Sequence, residues 1–257
     1  MMRRVVLLVA VGASTALLAG GCSDDLTCPV VEPADTLPYI SASVVQHADD
    51  REGSTHAEVV CTADPLPSLL IAFINGRELP NVGSSGGLSA LAMLDDDTVV
   101  WRSGVSCSLE VTTDYGYATA TAVVPDAVVV IAPAEISLGD TLTLTWERAT
   151  GADYYEVSGV LASAAGASAP GSRDTLTLSA TTRDTFAVFT PEAVALEGIA
   201  VGTVTAVTGP FPESGAAGNV NGDGWGFFTL RFTDPGSAFA VVVSSARDRA
   251  PESSTRR

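Results

Sequence analysis

From Tyr39 onward no stretch of helical length carries an apolar stripe at the 3.6-residue period. The chain runs instead as short β-branched and aromatic segments, punctuated by Gly, Pro, Asn and Asp. That pattern admits strands and turns and little else. In Ala57-Glu58-Val59-Val60-Cys61-Thr62-Ala63 the residues Ala57, Val59, Cys61 and Ala63 share one face, because strand side chains alternate. Val105, Cys107, Leu109 and Val111 do the same, as do Leu142, Leu144 and Trp146 against Thr141, Thr143 and Thr145. The Ala-rich stretch Leu161–Ala169 contains Gly166, precedes Pro170 and lacks a polar face, so it reads as a loop or a strand edge. The expected fold class is all-β. About 220 folded residues suit two tandem β-sandwich domains better than one large sheet.

The first 21 residues follow a different logic. Arg3 and Arg4 precede an apolar run, Val5–Ala19, and Gly20 and Gly21 lead into Cys22. Charge, apolar run and small residues in that order make a secretory signal. The run of about 15 residues is short of the roughly 20 that a membrane-spanning helix needs. The ending Leu18-Ala19-Gly20-Gly21-Cys22 resembles the lipobox of bacterial lipoproteins; the alternatives are an ordinary cleaved signal with an incidental cysteine, or an uncleaved anchor. The resemblance implies that Cys22 receives a diacylglyceryl group, becomes the mature N-terminus and attaches the protein to a membrane. With Ser23 following, it implies the outer membrane in a Gram-negative envelope, or the outer face of the cytoplasmic membrane in a Gram-positive one. Residues 22–38, rich in Asp and Pro, read as a lipid-anchored tether, and the polar residues 246–257 as a disordered tail.

Charge narrows the partners. The chain carries −17, all of its 13 basic residues are arginine, and removal of residues 1–21 takes away two of them to leave −19. Such a chain repels phosphate backbones, which excludes nucleic acid, and repels anionic lipid surfaces, which leaves anchoring to the lipid on Cys22. Beyond Cys22 three cysteines remain, Cys28, Cys61 and Cys107, and they allow three single pairings in a compartment that permits disulfides. The core-facing positions of Cys61 and Cys107 favour a bridge between those two, with Cys28 left in the tether.

Residues 39–125 resemble an immunoglobulin-like β-sandwich. Cys61 is followed twelve residues later by Phe73, where that family often has its core tryptophan. The apolar run Leu69–Ile74 ends in the turn residues Asn75-Gly76, and Asp114-Tyr115-Gly116 forms a turn into a final strand, Tyr117–Val124. Residues 126–245 resemble a fibronectin type III-like β-sandwich: the string Leu144–Val157, LTWERATGADYYEV, is similar to the second and third strands of bacterial repeats of that kind. The run from Gly209 to Gly226 is longer than the final hairpin of that family. The boundary is expected at Pro125-Asp126, with a restricted hinge.

Chemistry has few footholds. Asn219-Val220-Asn221-Gly222-Asp223-Gly224 is similar to the start of a D-x-N-x-D-G calcium loop, but position 1 is Asn219 and position 12 is Leu230. Asn219, Asn221 and Asp223 are therefore weak metal candidates, and the string reads as a Gly-rich turn opening a strand, Trp225–Phe232. Asp95-Asp96-Asp97 reads as a solvated acidic turn, with calcium the minority reading. His47 and His56 belong to no metal-binding spacing, and there is no G-x-S-x-G elbow. No catalytic residue, metal or cofactor is expected. Tyr115, Tyr117 and Trp225, at loop tips, are the candidate ligand contacts. The expected role is non-catalytic adhesion, scaffolding or protein interaction at the cell envelope. The alternatives are a carbohydrate-binding module using those aromatics, and a weak calcium-binding accessory domain.

Overall fold

In the computed structural model the described residues are 37–47, 54–85, 89–96, 102–163, 175–213 and 215–245. Cys22, Cys28, the signal, most of the tether and the tail lie outside them, as do Asp97 and the side chains of His47, Asp95 and Asp96.

The first eight strands are β1 (Tyr39–His47), β2 (Ser54–Thr62), β3 (Leu70–Ile74), β4 (Arg77–Leu79), β5 (Asn81–Ser85), β6 (Ser89–Asp96), β7 (Ser106–Thr113) and β8 (Gly116–Val123). Two sheets face each other across one core: β1-β2-β6-β5 on one side and β8-β7-β3-β4 on the other. The alternation foreseen in the sequence produces that core. Ala57, Val59 and Cys61 of β2 meet Cys107, Leu109 and Val111 of β7 in one buried cluster with Ile40, Ala42 and Val44 of β1. The β3–β4 connection is the Asn75-Gly76 turn, with both residues at positive φ (51° and 75°), as a tight hairpin of right-twisted strands requires. Asn75 also accepts the Ser108 amide on its Oδ1 at 2.8 Å, tying the turn to β7.

The next seven strands are β9 (Val130–Ile131), β10 (Glu135–Ser137), β11 (Leu142–Trp146), β12 (Tyr154–Ser163), β13 (Thr175–Thr182), β14 (Phe186–Phe189) and β15 (Gly198–Thr208). After them come β16 (Asn221–Gly222), β17 (Trp225–Thr233) and β18 (Ala238–Ser244). A second sandwich forms from β14-β11-β9 packed against a sheet in which β15 lies between β12 and β18, with β13 and β10 beyond them. Its core holds Leu142, Leu144 and Trp146 of β11, with the edge of Trp146 against Tyr155 at 5.3 Å between ring centres. The first residues of the Ala-rich stretch, Leu161 to Ser163, extend β12; the rest lie outside the described residues.

The expected division into consecutive domains needs a correction at its far end. The chain between β15 and β18 leaves the second sandwich and completes the first. Strand β17 pairs in parallel with β1 along its whole length, from Tyr39↔Trp225 to His47↔Thr233. Its inward residues Phe228, Leu230 and Phe232 join the first core, as does Val220, and β16 adds to the edge of β8. The other edge of β17 pairs with β15 at Ala206↔Phe232 to Thr208↔Leu230. One continuous sheet therefore runs through both sandwiches, and a covalent crossing near Pro125 is reinforced by a hydrogen-bonded one. The close approach is possible because residue 226 is glycine: its φ is 146°, and a Cβ there would sit 1.9 Å from the Ile40 carbonyl oxygen. The unusually long Gly209–Gly226 run is this excursion.

Candidate functional site

Alternation on β1 and β17 turns Ile40, Ala42, Phe228 and Leu230 into the core and leaves Tyr39, Ser41, Ser43, Trp225 and Phe227 on the outer face. The parallel register sets Tyr39 beside Trp225 and Ser41 beside Phe227. Tyr39 meets Trp225 edge-on at 4.7 Å between ring centres and Phe227 at 6.2 Å, and Trp225 remains 52% exposed. Three rings thus form a strip at one end of this face.

At the other end the strip runs into a groove of about 400 Å³. Its floor includes Ser41, Ser43, Phe227, Thr229 and Arg231, and its far wall is Tyr154 with the proline-flanked Phe211. Phe211 is clamped: its ring packs edge-to-face with Tyr154 at 5.3 Å, and the Arg183 guanidinium lies 4.1 Å from its centre. Arg183 in turn bonds Glu213 at 2.9 Å. Arg231 donates from Nε and Nη2 to the two carboxylate oxygens of Glu156 at 2.9 and 3.1 Å, and from Nη1 to Thr229 Oγ1 at 2.9 Å. Burial opposes the Arg231 charge, but the Glu156 hydrogen bonds and carboxylate outweigh it and hold the guanidinium's pKa above its usual value. Burial, with Glu156 adding to it, pushes the Tyr154 phenol up to about 12. Arg231 in the groove and Arg183 beside it are each paired with a carboxylate, so the described residues of the site offer aromatic side chains and hydroxyls without an unpaired arginine.

The sequence-derived candidates fare unevenly. Trp225 belongs to this strip, on the sheet of β1 rather than in a hairpin closing the second sandwich. Tyr117 is 48% exposed but lies on β8, in the opposite sheet, where its hydroxyl bonds Glu110 at 3.0 Å. Tyr115 is half-buried, its hydroxyl donated to the Pro65 carbonyl. The three expected contacts are therefore not one site. Sequence reasoning missed Tyr39, Phe227, Phe211, Tyr154 and Arg231. The available signal was the spacing Trp225, Phe227, Thr229, Arg231, one face of one strand.

The calcium-like string is spent on structure. Asn219 mimics a strand backbone, its amide donating to the Phe228 carbonyl at 2.8 Å and accepting the Phe228 N–H at 2.7 Å. Asn221 donates to the Asn219 carbonyl at 3.2 Å, and Asp223 accepts the Tyr117 N–H at 3.1 Å. His56 sits 3.7 Å from Glu58 on the outward side of β2. Among the described residues no group of three or more His, Cys, Asp or Glu is placed to hold a metal.

The expected disulfide is also corrected: Cys61 and Cys107 are both free and buried. They face one core but from different ends of it. Asp114, just past the end of β7, is close enough to Cys61 to help raise its thiol, burial being the larger cause, to about 11. Cys107, at the start of β7, is beside Asn75; burial lifts it to about 12 despite that hydrogen bond. Seven residue steps separate Cys107 from Asp114, about 24 Å at ~3.4 Å each, whereas a bridge needs Cα atoms within ~7 Å.

The second sandwich presents another kind of surface. Thr145 lies between Ile131 and Phe186 on the outer face of β9-β11-β14, with Val188 beside Thr143. On the opposite sheet Val160, Val201 and Ala240 form one row and Ala162, Ile199 and Val242 the next. Ile131 is 62% exposed and Ile199 50%; among the described residues the first row carries no charge, and the second ends at Glu135, which lies beside Val242. No protein-family model matches the chain, and no curated protein matches its sequence.

Proposed function

We propose that this protein is an exported, non-catalytic interaction module, anchored to the cell envelope by a lipid on Cys22, that binds a protein partner through the second sandwich. The observation that carries the reading is the pair of mainly apolar outer faces around Ile131 and Phe186, and around Ile199 and Val201, the second with a single carboxylate, Glu135, at its edge, in a chain of net charge −17. Contiguous exposed apolar surface marks a place of contact. These faces hold flat β-branched residues and threonine, which suit packing against another protein. A lipid surface would call for basic residues around them, and sugar for more polar anchors. The lipid and the envelope address rest on Leu18 to Cys22.

Two features support the immunoglobulin-like and fibronectin type III-like readings of the modules. The first has the strand order β1-β2-β6-β5 against β8-β7-β3-β4, and the second sets three strands, β14-β11-β9, against a sheet built on β12, β15 and β18. Both architectures serve many functions, so the surface and not the fold decides. At the groove Arg231 is paired with Glu156 and Arg183 with Glu213, which favours binding over catalysis.

The test is site-specific photo-cross-linking in the protein's own cells from positions 188 and 201. A discrete adduct is expected at one or both, lost from position 201 on Ile199→Asp or from position 188 on Ile131→Asp on the same face, and absent from a probe at position 117. Its mass separates a foreign partner from a second copy. Labelling no stronger than at position 117 would reject the reading.

A further inference from the structure

We propose that the outer face of β1 and β17 is a second, separate binding site, for an uncharged oligosaccharide of pyranose units. Three independent features lead there. The first is the ring strip: Tyr39, Trp225 and Phe227 lie on adjacent strands in edge-on contact, and Trp225, 52% exposed, offers ring surface to the C–H face of a sugar. Side chains two apart on β17 repeat at about 6.8 Å, a spacing comparable with one unit of an extended glycan. The second is the polar complement next to the rings. Ser41 and Ser43 line the groove that continues the strip, over the buried Thr229 and Tyr154 and beside Arg231, and their hydroxyls supply the hydrogen bonds that sugar hydroxyl groups need. The groove is of small-ligand size, about 400 Å³ against ~300–1,000 Å³ for such clefts.

The third feature is charge. Arg231 is paired with Glu156 and Arg183 with Glu213, so among the described residues the site holds no unpaired arginine for a uronate, sulfate or phosphate. The chain as a whole repels polyanions. An extended peptide fits less well. It would bind such a sheet by adding a strand to an open edge, but β1 is paired on both sides, by β17 and β2. The free edge of β17 is covered where Asn219 bonds both backbone groups of Phe228 and donates its own N–H to Gly226.

The probes are cellohexaose, mannohexaose and chitohexaose, with hexagalacturonate as the charged comparison, titrated calorimetrically into the full chain purified in detergent. At least one neutral hexasaccharide is expected to bind saturably with Kd below about 5 mM. Trp225→Ala and Phe227→Ala should each weaken it at least about tenfold, the scale of a lost aromatic anchor. Tyr117→Ala, an exposed ring on the opposite sheet, should leave it unchanged. Trp225 is half exposed, so its removal spares the core, and unchanged thermal unfolding of that variant checks this. Absence of binding by all three neutral sugars overturns the proposal. So does binding indifferent to Trp225→Ala and Phe227→Ala, tighter binding of hexagalacturonate, or capture of a peptide by the groove in the sugars' stead. The surface, probes and variants differ from those of the protein-binding faces, so failure here and failure there are separate results.

Discussion

Replacing Phe228 with alanine should destabilise the first sandwich, although that residue lies about 100 positions beyond β8 in the chain. Phe228 is fully buried in the first core, on the inward face of β17, with Leu230 and Phe232 two and four residues on. Removing a buried phenylalanine ring typically costs about 3–5 kcal/mol, through lost transfer energy and the cavity left behind. Against a whole-domain stability of about 5–15 kcal/mol, a loss near 4 kcal/mol raises the unfolded fraction about a thousandfold. Amide hydrogen exchange read peptide by peptide is the suitable assay, because β2 reports on the first core and β11 on the second. Protection of Ser54–Thr62 should fall by the full amount. Protection of Leu142–Trp146 should fall with it, because β17 is hydrogen-bonded to β15 as well as to β1. A loss in β2 below about 1 kcal/mol would refute the placement of β17 in the first core. A full loss in β2 with none in β11 would refute the cooperative coupling of the sandwiches.

Gly226→Ala should act at the same seam: with φ at 146° and the Ile40 carbonyl oxygen in the way, it should cost about 2–4 kcal/mol in urea unfolding. A neutral effect would show that the parallel pairing is absent in solution. Cys61 and Cys107, with thiols raised to about 11 and 12, should resist iodoacetamide at pH 8 in the native chain. Both should label in denaturant without reductant, whereas a linked peptide in a non-reducing digest would contradict the free thiols. The Ser68 N–H and hydroxyl, at 3.0 and 2.8 Å, hold the Asp114 carboxyl below its ordinary pKa. That stabilisation is present above the unfolded value near pH 4 and is lost as pH falls through the lowered folded one. Asp114→Asn should therefore weaken the protein at pH 7 by an amount that shrinks as pH falls below about 4, and a deficit independent of pH would dismiss the assignment.

What could be read from the sequence, and what could not, follows from the information a strand carries. Alternation at Ala57, Val59 and Cys61, and at Leu142, Leu144 and Trp146, reports which side chains face inward, and those all do. The Asn75-Gly76 turn was legible because two successive positive φ values need those residue types. Alternation has period two, however, and is blind to translation along the strand. Cys61 and Cys107 were thus placed on the right faces without any indication that they stand at different ends of the core. Composition has a similar blindness at Asn219-Val220-Asn221-Gly222-Asp223-Gly224: a tight polar turn and the start of a calcium loop use the same residues, and only the partners Phe228 and Tyr117 distinguish them.

The partner of β17 was the least legible feature, because a parallel pairing needs no turn between its strands and leaves no local mark. Its energetics nevertheless make it reasonable. The entropy of closing a loop grows only as the logarithm of its length, about 0.6 kcal/mol for each doubling. Extending the β15–β18 connection from a hairpin to the excursion between Thr208 and Ala238 therefore costs little beyond the ordering of its own residues. Burying Phe228, Leu230 and Phe232 contributes several times more, at about 1.5–3 kcal/mol for each side chain. The same strand then has two faces with different duties. Its inward rings lock it between β1 and β15, which leaves Trp225, Phe227, Thr229 and Arg231 outward on a backbone held from both sides. Groups displayed on such a strand need little further ordering when a ligand arrives, and that saving is the physical reason to look for binding there before looking at the loops.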